Sequence, residues 1–169
     1  MYRYFSFILF LFLLLSGKVQ AQKSVSAQIF AEVIQGVAAT ENQPLNFGRF
    51  ITGTAGGSIT ISPDGQRLTR GEIIAEEGNY TSGQFLMEGD AGSTFSIKLP
   101  NEKAVLTHQE SGKTMYVSEW ISNLPLSNVA ALNEGLCLIK IGATLNVGTV
   151  YENPVGVYTG SFEITFSYN

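Results

Sequence analysis

Hydrophobic and polar residues alternate with a period of two along most of this chain. The clearest run is the last one. Tyr158, Gly160, Phe162, Ile164, Phe166 and Tyr168 fall on one face, and Thr159, Ser161, Glu163, Thr165, Ser167 and Asn169 on the other. Residues i and i+2 share one side of a strand, so the pattern predicts a single half-buried strand here. Its aromatic and β-branched content suits a pleated surface.

Similar alternations run upstream. Ile59 and Ile61, Phe85 and Met87, and Phe95, Ile97 and Leu99 each mark an apolar face. Met115, Val117 and Ile121 share one face of a further strand, with Tyr116 and Trp120 on the other. Cys137, Ile139, Ile141, Ala143, Leu145 and Val147 form the longest apolar set. Near the start, Val25, Ala27, Ile29, Ala31 and Val33 alternate with mostly polar neighbours.

Turn signals separate these runs. Ser62-Pro63-Asp64-Gly65 places proline second and glycine fourth, as a type I turn prefers. Ala55-Gly56-Gly57, Gly89-Asp90-Ala91-Gly92 and Asn153-Pro154 punctuate the rest. Residues 128–134 are the one helix candidate, with a loop as the other reading. Many short strands divided by turns predict an all-β fold, an immunoglobulin-like antiparallel β-sandwich of roughly seven to ten strands. The expected core is Phe47, Ile59, Ile61, Phe85, Phe95, Ile97, Ile139, Ile141, Leu145, Phe162, Ile164 and Phe166.

The first 21 residues follow a different pattern. Arg3 precedes an unbroken apolar run from Phe7 to Leu15, and Val19 and Ala21 are small residues placed for a signal peptidase. The run is about half the roughly 20 residues a membrane span needs. It therefore reads as a signal peptide cleaved after Ala21. The expected product is an exported protein of the periplasm, cell surface or extracellular space, with no membrane span after cleavage. Residues 22–169 form one domain by length.

Charge and composition then exclude several functions. Removing Arg3 and Lys18 leaves eight Lys and Arg against 14 Asp and Glu, a net charge of −6. That balance disfavours nucleic acid. One histidine and one cysteine preclude an internal disulfide and a His- or Cys-based metal site. No metal and no cofactor is expected.

The candidates for chemistry are few. His108 has no nucleophile elbow or other local motif around it, and reads as an exposed loop or strand residue. Cys137 shares a face with Ile139 and Ile141 and reads as a small buried hydrophobe. Glu76 and Glu77 are adjacent, so their side chains diverge; Glu88 and Asp90 share a face but border a turn. Trp120 reads as core or half-buried, with a sugar-binding role left open. No residue is assigned a catalytic role, and the chain is expected not to be an enzyme. Two alternating segments could serve β-strand addition, Val25 to Val33 and Tyr158 to Tyr168, or could pair within their own domain.

Five segments carry a resemblance. They are Leu45-Asn46-Phe47-Gly48, the run from Gly57 to Gly65, the run from Gly92 to Pro100, Ile141 to Leu145, and Gly156 to Phe162. Together and in this order they resemble a bacterial secreted domain family of unknown function, itself similar to spore-coat-U-like and archaic chaperone–usher pilus subunits. The resemblance spans residues 25–169. Its pilin side implies an immunoglobulin-like sandwich, export to the periplasm and assembly into surface fibres. Pilin-like chains carry an aromatic next to last and a glycine fourteen from the end; Tyr168 and Gly156 hold those positions here. The resemblance implies that Val25, Ala27, Ile29, Ala31 and Val33 form a donor strand. It implies a matching role for Gly156, Tyr158, Gly160, Phe162, Ile164, Phe166 and Tyr168 of the C-terminal strand. The implied partners are a second copy of the chain or a periplasmic chaperone. The expected function is a non-catalytic cell-surface structural protein, a pilin-like subunit that assembles by strand addition. The alternative is a self-complete adhesion module that binds glycan or protein.

Overall fold

The computed structural model describes Ala31 and residues 38–124 and 129–168. The alternating segments become strands β1 (Ala38–Gln43), β2 (Phe50–Ile61), β3 (Arg67–Ala75), β4 (Gly83–Glu88), β5 (Thr94–Lys98) and β6 (Ala104–His108). They continue as β7 (Thr114–Ser122), β8 (Val129–Ala131), β9 (Leu136–Val147), β10 (Tyr158–Thr159) and β11 (Thr165–Tyr168). Every strand pairing among the described residues is antiparallel, and none of these residues is helical. The fold is all-β and sandwich-like, as the alternation predicts.

β9 organises the larger sheet. Its twelve residues contain no proline and keep strict alternation, so Ile139, Ile141, Ala143, Leu145 and Val147 all point inward and are buried. β7 pairs along one edge, from Tyr116 opposite Asn146 to Ser122 opposite Ile141. The other edge is shared. β4 pairs with residues 136–141 and β2 with residues 143–147. The handover falls at Gly142, where a Cβ would overlap the Ile61 carbonyl. Only glycine lets two strands meet there. β3 lies outside β2, β1 outside β4, and β6 then β10 outside β7.

A smaller sheet runs in the order β11, β5, β8. The interior forms two clusters along β9. One gathers Phe47, Ile59, Ile61, Ile73, Met115, Val117, Ala143, Leu145 and Val147. The other gathers Met87, Phe95, Ile97, Leu132, Ile139 and Ile141 under the smaller sheet. Each large side chain so buried stabilises the fold by roughly 1.5–3 kcal/mol.

Three expectations are corrected. The final segment is not one strand. It pairs with β6 at Tyr158 and Thr159, leaves the ladder, and rejoins as β11 against β5. The alternation of half-buried and exposed residues survives across the gap, because Phe162 and Ile164 still face inward. The helix candidate becomes β8 and a tight turn through Glu134 and Gly135; Asn128 lies outside the described residues. A helix of seven residues is marginal by itself, whereas a period of two buries Leu132 and half-buries Ala130. Finally, β7 carries a bulge between Ser118 and Ile121, with Glu119 at φ +54°. The extra residue exchanges the faces. Ile121 is therefore exposed, while Trp120 packs against both core clusters.

Candidate strand-addition surface

The two sheets differ in width on one side. β11 is the edge of the smaller sheet and pairs only with β5, so its other edge carries main-chain groups without a strand partner among the described residues. Beneath it, the larger sheet continues past β4 to β1. Directly paired residues in an antiparallel ladder project to the same face. Ala39 pairs with Met87 and Glu41 with Phe85, so Ala39 and Glu41 face the side that holds the core. Met87 is fully buried, yet Ala39 and Glu41 are exposed. Among the described residues, the second layer stops one strand short of β1.

Aromatic side chains floor this step. Phe85 meets Phe162 edge-on at 6.3 Å between ring centroids and Phe166 at 6.1 Å. Phe162 in turn lies 4.6 Å from Trp120. Such pairs contribute about 0.5–1.5 kcal/mol beyond the area they bury. Phe85, Phe162, Ile164 and Phe166 were all expected in the core. Each is only half-buried, because no described strand lies outside β11 to cover them.

The other residues named on the C-terminal segment anchor it within its own domain. The Tyr158 hydroxyl donates to the Pro154 carbonyl at 2.8 Å, and burial pushes its pKa up. Gly160 passes so close to β6 that a Cβ would overlap the Val105 carbonyl. Gly156 lies against His108 with equally little room. Tyr168 is exposed, its hydroxyl 3.3 Å from that of Ser93. On the donor side, Ala31 is exposed and outside any strand, while Val25, Ala27, Ile29 and Val33 lie outside the described residues.

His108 is buried rather than exposed, at 4%. Its Nδ1 accepts the backbone N–H groups of Glu110 and Ser111, at 3.1 and 2.9 Å. The ring proton therefore sits on Nε2, which donates to the Val155 carbonyl at 3.0 Å. Both nitrogens are committed to main chain, which ties the β6–β7 turn to residues 155–158. Cys137 is half-buried, and burial raises its thiol pKa. Among the described residues no group of three His, Cys, Asp or Glu side chains could hold a metal ion. Nor is any helix there long and apolar enough to cross a membrane.

Ala39 and Glu41 had no signal in the sequence. The segment AATENQ is polar on both faces, and only its register against β4 reveals which face is inward.

These features define an antiparallel, sandwich-like β-domain with an edge left unpaired among the described residues. The chain belongs to the family described as domain of unknown function DUF4402, whose model matches residues 37–168. The match includes every described strand and begins after the alternating segment from Val25 to Val33. Comparison with curated proteins gives no match.

Proposed function

We propose that this chain is an exported, non-catalytic surface subunit that assembles by β-strand addition. Residues Val25 to Val33 of one copy would pair with the open edge of β11 in another, extending the smaller sheet over β1. Support comes chiefly from the exposure of Ala39 and Glu41 on the core-facing side of β1. A strand added there would cover them together with the half-buried rings of Phe85 and Phe166. Main-chain hydrogen bonds would supply affinity, and alternate side chains would supply register. Val25, Ala27, Ile29, Ala31 and Val33 fall on one face of such a strand. The resemblance to spore-coat-U-like and chaperone–usher subunits favours the same reading, with a periplasmic chaperone occupying the edge before assembly.

The test is light scattering and thermal unfolding of the chain from Gln22 to Asn169. Oligomers that dissociate in an Ile29→Asp variant, and a truncated chain from residue 37 that binds a synthetic peptide of residues 22–36, are the expected results. A monomer with one cooperative transition, unchanged by Ile29→Asp, overturns the proposal.

A further inference from the structure

Where β5 runs on towards β6, a cleft of about 580 Å³ opens against the bulge of β7. That size lies within the range of small-ligand sites. Three irregularities gather at one wall of it, around Glu119 and Trp120. Glu119, on its wall, is a non-glycine residue in the left-handed region. Such strain costs about 1–3 kcal/mol and gathers where a site needs it. The bulge beside it aims the Trp120 indole between the two core clusters and the cleft. The indole Nε1–H is buried with no hydrogen-bond partner among the described residues, a state that folded proteins rarely leave unrelieved.

From these features we infer that the cleft is a binding site for a neutral oligosaccharide. Its rim balances Lys98 and Lys103 against Glu102 and Glu119. A ligand of one charge gains nothing net from that rim. A sugar hydroxyl both donates and accepts, so ammonium donors and carboxylate acceptors around one aromatic suit it. An added peptide strand fits poorly. The bulge and the left-handed Glu119 interrupt the edge it would need, and Pro100 on the opposite wall has no N–H.

Trp120 is the only tryptophan in the chain, so its fluorescence reports this cleft. The experiment titrates the chain from Gln22 to Asn169 with neutral hexasaccharides of glucose, N-acetylglucosamine, mannose and xylose. A heparin hexasaccharide and a peptide of residues 22–36 serve as charged and peptide probes. A saturable emission shift with at least one neutral sugar is expected. Lys103→Ala and Glu102→Ala, both at exposed positions, should each weaken it about tenfold with melting temperature unchanged. The inference is overturned if no neutral sugar shifts the emission at millimolar concentration. It is also overturned if both variants bind as the parent does, or if only the heparin fragment or the peptide produces the shift.

Discussion

Gly156 lies against the imidazole of His108 with no space for a Cβ between them. Its φ of +154° is one that residues with a side chain rarely adopt. Two terms therefore oppose Gly156→Ala, backbone strain and overlap with a buried ring. Together they should cost about 3 kcal/mol. In a His108→Ala background the overlap disappears and only the backbone term remains. Urea unfolding of both single variants and the double variant measures the difference. A cost that is the same in both backgrounds would show that the ring is not what excludes the side chain.

Asn153 performs a related task on the other side of this loop. It is 5% exposed. Its Oδ1 accepts the Gly148 N–H at 2.6 Å, and its Nδ2 donates to the Thr114 carbonyl at 2.9 Å. Asn153→Ala leaves both partners without a bond and should cost about 2–3 kcal/mol. Asn153→Asp keeps the acceptor but sets a carboxylate against the Thr114 carbonyl. The aspartate variant should be the less stable at pH 7 and should recover part of the loss at pH 4, where a protonated carboxyl can donate. Thermal melts at the two pH values decide this; an aspartate variant as stable as the parent at pH 7 counts against the assignment.

The course of this loop, and the step beside β11, were hidden in the sequence for a common reason. Periodicity reports which face of a strand is apolar, and it identified the large buried side chains of β2, β5 and β9, though Cys137 of β9 is half-buried rather than buried. Ile59, Ile97 and Ile141 are all buried as expected. Periodicity does not report which strands are neighbours. The exposure of Glu41 goes with the smaller sheet ending, among the described residues, at β11, a matter of sheet width. The reversal at Trp120 depends on a one-residue bulge that changes the phase of the pattern without changing its composition. His108 stands in a polar stretch, and its burial follows from residues 155–158 crossing over it, 47 positions away at Val155.

Stability should fall as the solution becomes acidic, through identifiable carboxylates. Glu152 accepts the backbone N–H of Thr149 and then its hydroxyl, at 2.9 and 3.1 Å. These bonds hold its pKa below the ordinary 4.5. Glu72 accepts the Ala55 N–H and the Thr54 hydroxyl, with the same direction of shift. A folded-state pKa below the unfolded one means that the unfolded chain takes up protons first. The contribution is complete above the unfolded value and disappears as pH falls through the folded one. Melting temperature should therefore drop more steeply below pH 4.5 for the parent than for a Glu72→Gln, Glu152→Gln double variant. Parallel curves would remove these two groups from the acid transition.

The β8–β9 turn offers a test in the stabilising direction. Glu134 and Gly135 both have positive φ, +52° and +82°, and the Leu136 N–H donates back to the Asn133 carbonyl at 2.9 Å. Two left-handed residues closed by the antiparallel bridge between Asn133 and Leu136 make a type I′ turn, which prefers asparagine followed by glycine. Glutamate at the first position bears a steric cost of about 1 kcal/mol that asparagine largely avoids. Glu134→Asn should therefore stabilise the domain by about 0.5–1 kcal/mol. Gly135→Ala should do the reverse, since its Cβ would stand 2.7 Å from the Gly89 carbonyl oxygen. The turn carries the chain from β8 in the smaller sheet to β9 in the larger, so its geometry bears on how the two sheets meet. Denaturant titration of the two variants should move the midpoint in opposite directions with an unchanged slope. A loss of stability in Glu134→Asn would mean that the glutamate side chain makes a contact outweighing its backbone cost.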